Sequence, residues 1–129
     1  MIKIRKIICT ENAPLAIGPY SQGTSGDGMI FVSGQLPIDP ATGEFAQGGI
    51  KKQTRQSLMN LQSILKEAGA DMGHVLKTTV FLSDMENFSQ MNEIYKDFFQ
   101  EGSYPARSAV EVARLPKDAL VEIEAIALK

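Results

Sequence analysis

The chain has 129 residues and a formal net charge of −2, with 13 Lys and Arg against 15 Asp and Glu. That charge is a poor basis for nucleic-acid binding, which needs clustered positive side chains. The single cysteine excludes an intrachain disulfide framework, and no apolar run approaches the roughly 18 residues that a membrane-spanning helix needs. The length favours one domain, residues 1–129, and the cysteine content suits a reducing, cytoplasmic setting.

Turn residues and alternation divide the first third of the chain into strands. Residues 2–9 alternate apolar with charged side chains and end apolar, which predicts a first strand with Cys9 packed in it. Asp27-Gly28 is a strong hairpin signal, and it separates residues 21–24 from the apolar run 29–32. The sequence therefore predicts a two-stranded hairpin, followed by a loop that reaches residue 49.

The middle of the chain switches to helical periodicity. Residues 50–68 place their apolar side chains on one stripe, which predicts an amphipathic helix stopped by Gly69. Residues 75–83 are rich in β-branched and aromatic side chains, which predicts a strand. Ser83 and Glu86 match a capping box, so a second helix is predicted to begin at Ser83.

Two alternating runs separated by a turn-like segment, residues 114–118, make up the stretch 105–127. The first run contains Arg107, and the second places Glu122 and Glu124 on one face. Alternation with a period of two predicts half-buried strands. Charged side chains on strands are rigidly aimed, which suits a site for a small charged ligand.

The predicted element order is βββαβαββ. It indicates an α+β fold, with a mixed sheet and both helices on one face. The other face would then be bare, and we expect it to carry Arg107 and Glu122 beside apolar residues such as Ile126 and Leu128. A bare face of this kind usually needs a partner. The sequence therefore predicts a homo-oligomer with sites at or near the subunit contacts.

Two readings are open for each of the main charged candidates. The planar fork of Arg107 suits bidentate binding of a carboxylate, but a pairing with Glu111 would make it structural. Glu122 could position or deprotonate a water, but Glu122 and Glu124 could also be a solvated pair. A simple hairpin would set Glu122 opposite Val112. A pocket shared by Arg107 and Glu122 therefore requires another strand order or a second subunit.

Three further polar residues stand where a ligand could be contacted. Asn92 lies on the apolar stripe of the second helix, either as a buried structural amide or as a ligand contact. Tyr20 follows a rigid Gly-Pro turn that could present its ring over a pocket or simply pack it. Ser33 ends a strand just before Gly34, which by itself is ordinary loop chemistry.

No metal or cofactor site is predicted. His74 is the only histidine, and one histidine with one cysteine does not make a convincing zinc site. The glycines between residues 23 and 28 do not match G-x-G-x-x-G and open no helix, so a dinucleotide site is unsupported. The chain also contains neither a P-loop nor a G-x-S-x-G motif.

Several segments resemble the Rid (YjgF-like) family over nearly the whole chain. They are IGPYSQG at 17–23, VSGQLP at 32–37, TTVF at 78–81 and, most specifically, PARSAVEVARLPKDALVEIEAIA at 105–127. The best-known members are reactive intermediate deaminases that act on 2-iminobutanoate and 2-iminopropanoate. The resemblance implies a chorismate-mutase-like α+β fold and homotrimers with pockets between subunits.

The resemblance also implies roles for individual residues. Arg107 looks like the arginine that binds the substrate carboxylate, and Glu122 looks like the glutamate that orients the hydrolytic water. The residues that resemble other pocket positions are Tyr20, Ser33, Gly34 and Asn92. Many bacterial members have Cys where this chain has Ala109, so chemistry through that thiol is excluded, while the backbone there could still serve the pocket.

The implied reaction is hydrolysis of a 2-imino acid, released by a pyridoxal-phosphate enzyme, to a 2-oxo acid and ammonia. Neither metal nor cofactor is required for it. Two alternatives remain at this level: a non-catalytic module that binds a small metabolite in the same pocket, and an RNA-cleaving translation inhibitor. The charge and the single histidine count against the latter, and no membrane partner is expected.

Overall fold

The structure, a computed structural model, describes residues 4–129. Within them the strands and α-helices follow in the predicted order βββαβαββ, which confirms the α+β class. Short 3₁₀ turns link several of them. The elements are β1 (Lys6–Ile8), β2 (Gly23–Gly26), β3 (Met29–Gln35), α1 (Ile50–Glu67), β4 (Val75–Leu82), α2 (Phe88–Tyr95), β5 (Ala106–Glu111) and β6 (Val121–Leu128).

One mixed sheet contains all six strands, in the order β1-β2-β3-β6-β4-β5. Only β4 and β5 pair in parallel; the other neighbours are antiparallel. A parallel pair needs a crossover, and α2 supplies it. The last two strands of the chain are therefore not hairpin partners, because β4 lies between them.

The first hairpin is confirmed. Asp27 and Gly28 have φ of 51° and 79°, which matches the twist that a two-residue hairpin turn requires. The predicted first strand is shorter than expected, since β1 pairs with β2 over only three residues and lies at the sheet edge. Cys9 follows the end of β1 and is exposed, so its predicted packing in the strand is wrong. Residues 2 and 3 of that prediction lie outside the described residues.

The predicted start of the second helix at Ser83 is also wrong. The backbone N–H of Ser83 donates to the carbonyl of Leu120 at 3.2 Å, which holds this residue at the end of the strand. Asp84 is the cap instead, and its carboxylate accepts from the N–H of Glu86 at 2.9 Å. One 3₁₀ turn then leads into α2. Gly69 does stop the first helix, with φ of 83°.

Both helices cover one face of the sheet, as predicted. The inward side chains of β6 are buried beneath them, and Lys51 of α1 forms an ion pair with Glu93 of α2 at 2.8 Å. The opposite face is bare. On it Phe31, Leu128 and Val110 are 48%, 44% and 42% exposed, which is high for large apolar side chains on a sheet. None of the helices in residues 4–129 is long and apolar enough to cross a membrane.

Arg107 does not lie on the bare face, contrary to the prediction. It pairs in register with Thr78 of β4, which is buried under α2, whereas Glu122 pairs with Phe81. Thr78 and Phe81 are three residues apart on one strand, so their side chains point to opposite faces. Arg107 therefore faces the helices, and Glu122 lies on the bare face.

Candidate active site

An open cleft of about 950 Å³ lies on the bare side of the sheet. Four of the predicted site residues line it, and they come from three separate parts of the chain: Tyr20, Ser33, Gly34 and Glu122. The rest of the lining is largely apolar, and the segment 11–17 supplies part of it. Apolar walls with a few convergent polar groups are typical of small-molecule sites.

Gln22 holds the wall formed by the segment before Tyr20. Its side chain is 3% exposed; its amide oxygen accepts from the N–H of Thr10 at 2.7 Å, and its amide nitrogen donates to the carbonyl of Pro14 at 2.8 Å. Buried amides that are satisfied in this way fix the chain around them. The sequence analysis missed Gln22 because nothing local indicates its partners.

The hydroxyl of Ser33 is already committed as a donor. It donates to the carbonyl of Ser21 at 2.6 Å, and the backbone N–H of Ser33 donates to the carbonyl of Gln22 at 2.9 Å. The hydroxyl oxygen therefore keeps only acceptor capacity for a ligand. Ser33 can accept a hydrogen bond from an imine N–H or a water, but it is not placed to donate to a carboxylate.

Gly34 is a glycine because of Glu122. A Cβ at this position would lie 2.9 Å from the carboxyl carbon of Glu122 and closer still to its Oε2. The register between β3 and β6 shifts between Val32 and Gln35, where Gly34 lies. Such bulges are common beside active sites, where they re-aim side chains. The bulge and the missing side chain together make room for the Glu122 carboxylate.

Replacing Gly34 by alanine tests this arrangement. The added methyl must displace the Glu122 carboxylate, so we expect a roughly tenfold or larger fall in kcat for the activity of the site, with only a modest loss of stability. Initial-rate kinetics together with thermal unfolding check the prediction. Gly69→Ala is a control for stability alone, because Gly69 lies outside the cleft and a Cβ there meets nothing within 4 Å although its φ of 83° strains the backbone.

The pKa of Glu122 is raised above the ordinary value of a glutamate. Burial raises its pKa most, and the neighbouring charge of Glu124 raises it further. A raised pKa makes the carboxylate a better proton acceptor, which is what a residue that activates water requires. The predicted pair of glutamates is thus not simply solvated: Glu122 is half-buried, and only Glu124 is exposed.

A second cluster surrounds Arg107 on the helix side. The side-chain oxygen of Asn92 on α2 accepts a hydrogen bond from Nη1 of Arg107 at 2.6 Å. A direct contact between Asn92 and a ligand stays a prediction. The guanidinium carbon lies 4.7 Å from the ring centre of Tyr95 and 5.5 Å from that of Phe88. Within residues 4–129 Arg107 forms no ion pair, and its remaining donors suit a carboxylate from outside.

The pairing of Arg107 with Glu111, which would have made the arginine structural, is wrong. Glu111, its expected partner, accepts instead from the backbone N–H of Met85 at 2.8 Å. The ring of Tyr95 beside Arg107 is held in place by a 2.6 Å hydrogen bond between its hydroxyl and that of Thr78. Burial raises the pKa of Tyr95, so its ring stays neutral beneath the guanidinium.

The site residues predicted from the sequence do not include Phe88 and Tyr95, which lie beside Arg107. Their spacing with Asn92, at i, i+4 and i+7 on one helix, was the available signal. Ala109 lies two residues along β5 from Arg107, pairs with Val80 and is half-buried against the core. The predicted site residues thus form two groups on opposite faces of the sheet, and the sheet itself lies between them within one chain.

Three known proteins show what this chain is similar to, and a family model described as Endoribonuclease L-PSP matches its residues 10–129. A mouse protein named 2-iminobutanoate/2-iminopropanoate deaminase is 53% identical over 126 residues, which cover 98% of this chain and 93% of the mouse protein. The structure of a Rid-family protein from Yersinia pestis is 50% identical, with a TM-score of 0.94 over 97% of this chain and 99% of that one. The structure of E. coli TdcF with bound serine is also 50% identical, with a TM-score of 0.92 over 96% and 98% of the two chains.

Proposed function

Because the chain belongs to the endoribonuclease L-PSP family, the Rid or YjgF-like proteins, we infer that it is a 2-iminobutanoate/2-iminopropanoate deaminase. It converts a 2-imino acid and water into a 2-oxo acid and ammonia. Mammalian and bacterial relatives that bear this name are about half identical to it over nearly its full length. The observation that carries the inference is the free guanidinium of Arg107, held by Asn92 and two aromatic rings and without a carboxylate of its own.

Arg107 binds the substrate carboxylate in this mechanism. A guanidinium offers parallel N–H donors that match the two oxygens of a carboxylate, and stacking on aromatic rings keeps the fork in one plane. The serine bound in the E. coli TdcF structure is likewise a small molecule with a carboxylate next to a carbon that bears nitrogen. Fixing the carboxylate also fixes the position of the imine carbon next to it, which lowers the entropic part of the barrier.

Glu122 activates the water. Its carboxylate takes a proton as the water oxygen bonds to the imine carbon, and the electron pair of the C=N bond moves to nitrogen. The same proton then passes to that nitrogen, which gives a tetrahedral carbinolamine. Glu122 next takes the hydroxyl proton of the carbinolamine and delivers it to the nitrogen, so the C–N bond breaks and ammonia leaves as the carbonyl forms. The raised pKa of Glu122 suits both the uptake and the return of the proton. Ser33 accepts a hydrogen bond in this region, and Tyr20 and Gly34 line the cleft beside it.

The two residue groups meet through assembly of copies of the chain. Within one protomer Arg107 and Glu122 lie on opposite sheet faces, so a shared site needs Arg107 of one copy at the cleft of the next. The exposed apolar side chains on the bare face supply the contact surface. A head-to-tail contact closes into a ring when its rotation allows, and we propose a ring of three subunits, as the resemblance to the family implies. The proposed ligand is a small imino acid, and the proposed location of the protein is the cytoplasm.

The function is tested by supplying the imine as it is formed. A serine or threonine dehydratase is mixed with this protein, and appearance of the 2-oxo acid is followed early in the reaction. We expect the protein to accelerate the release of the 2-oxo acid without changing the rate of amino-acid consumption. Binding of 2-oxobutanoate without any acceleration would instead identify a non-catalytic metabolite-binding module.

RNA cleavage, which the family description names, has a separate test. The cleft contains no histidine, since the only one, His74, forms a hydrogen bond at 3.0 Å with Asp71 just before β4. We expect repurified protein to leave RNA intact at low salt. Cleavage that persists through repurification and tracks the protein peak would contradict the deaminase as the sole activity.

A further inference from the structure

Lys117 stands at the tip of a strained turn that forms one wall of the cleft. The turn joins β5 to β6, and both Lys117 and Asp118 have positive φ, at 55° and 57°. Two successive residues with side chains in the left-handed region are uncommon and unfavourable. Strain of this kind persists where the surrounding structure enforces it, and it clusters at ligand sites.

The tip of this turn is held from both sides. The guanidinium of Arg114 donates to both carboxylate oxygens of Asp118, at 2.8 and 3.2 Å. Leu115 and Ala119, which flank the tip, are 5% and 0% exposed. Beyond them, the N–H of Leu120 donates to the side-chain oxygen of Gln53 at 2.9 Å, which ties the turn to α1. Lys117 is thus the exposed end of an anchored loop.

Lys117 differs in charge from the other ionisable residues that line the cleft. Three carboxylates line it, those of Glu11, Glu122 and Glu124. Lys117 is the one cationic side chain among the lining residues in the described part of the chain, and it forms no ion pair there. An imino acid brings a further negative charge, which the three carboxylates repel and Lys117 attracts.

We propose that Lys117 is a steering residue that attracts the anionic substrate into the cleft. The proposal rests on the deaminase function, and it assigns Lys117 to the entry of the imino acid, before Arg107 takes the carboxylate. Lys117 acts through its charge alone and does not touch the reacting atoms. Its effect is therefore on affinity and kcat/KM, it is screened by salt, and it is absent for an uncharged ligand.

Three variants test the proposal. Lys117→Asn removes the charge and suits the left-handed backbone, because asparagine tolerates positive φ, so the variant is expected to fold. Lys117→Arg keeps the charge. Lys66→Asn is the matched control, since Lys66 is an exposed lysine in the last turn of α1 and lies outside the cleft.

The first measurement is binding of 2-oxobutanoate by calorimetry, which needs no turnover. We expect Lys117→Asn to bind about fivefold more weakly than the parent at about 20 mM ionic strength, and less than about twofold more weakly at about 500 mM. Lys117→Arg and Lys66→Asn should match the parent. The neutral analogue 2-oxobutanamide should bind all four proteins equally. In turnover, Lys117→Asn should change kcat/KM and leave kcat within about twofold.

Equal binding of 2-oxobutanoate by the parent and Lys117→Asn at low salt would overturn the proposal, and so would a loss that is the same at both salt concentrations. The result is separable from the deaminase function. If the parent binds 2-oxobutanoate in this salt-dependent way but never accelerates imine hydrolysis, the deaminase fails while the role of Lys117 in attracting an anion stands.

Discussion

Replacing Arg107 by methionine is expected to lower kcat/KM for imine hydrolysis about 100-fold or more. Methionine keeps much of the apolar contact with Tyr95 and Phe88 but removes every donor to the substrate carboxylate. A charge-assisted bidentate pair in a partly enclosed site is worth a few kcal/mol, which corresponds to this factor. The measurement is the early rate of 2-oxo acid release in the presence of a dehydratase.

The matched control for Arg107 is Arg55, which lies on α1. Arg55 also stands over an aromatic ring, with its guanidinium carbon 5.8 Å from the centre of Phe98, but it lies outside both residue groups. Arg55→Met should therefore retain activity. Arg107→Lys keeps the charge without the planar fork, and we expect a loss of about tenfold. Wild-type rates for Arg107→Met would show that the substrate carboxylate is bound elsewhere.

Replacing Glu122 by glutamine has the second large effect, a fall in kcat of about 100-fold or more. The amide has nearly the same shape but cannot accept the proton of the attacking water. Binding of 2-oxobutanoate should be retained or strengthened, because a negative charge has left the cleft. Progress curves measure kcat, and calorimetry measures the binding of 2-oxobutanoate. A Glu122→Gln protein with the kcat of the parent would show that Glu122 does not activate the water.

The same variant should be slightly more stable than the parent. The pKa of Glu122 is raised in the folded chain, so in the parent the folded state binds more protons than the unfolded state between the two pKa values, and stability falls as pH rises through that window. Glutamine cannot ionise, so the variant does not lose stability as the pH rises through this window. We expect a gain of less than about 1 kcal/mol above the raised pKa, since the side chain is only half-buried, and no gain below about pH 4.3. Chemical denaturation at several pH values measures it.

Glu124 offers an independent readout of the same electrostatics. Its charge contributes to the raised pKa of Glu122, although less than burial does. Glu124→Gln should therefore move the acid limb of the pH–rate profile to lower pH, because Glu122 then loses its proton more readily. An acid limb that stays in place would mean that it reports another group.

Local patterns predicted the elements well and the faces of the sheet less well. Alternation tells which side chains of a strand share a face, but not which face the helices cover at an edge strand. The predicted face for Arg107 is therefore wrong, because β5 pairs in parallel with β4, a strand that is not its neighbour along the chain. The same limit explains why Arg107 and Glu122 could be named but not related in space.

Other differences also come from interactions at a distance. Ser83 and Asp84 are both good caps, and only the hydrogen bond from Ser83 to Leu120 across the sheet decides for Asp84. The strain at Lys117 is invisible in the sequence because lysine has no preference for positive φ. Gly34 illustrates the same limit, since Ser33-Gly34 looks like ordinary loop chemistry in the sequence, and only the structure shows how closely Glu122 approaches this glycine.

The central claim is that one active site combines Arg107 of one subunit with Glu122 of another. Mixing the Arg107→Met and Glu122→Gln proteins, with dissociation and reassembly, tests it most directly. In random mixed oligomers about a quarter of the sites unite an intact Arg107 with an intact Glu122, so the mixture should regain about a quarter of the parent activity. Activity no higher than the average of the two separate variants would contradict the shared site.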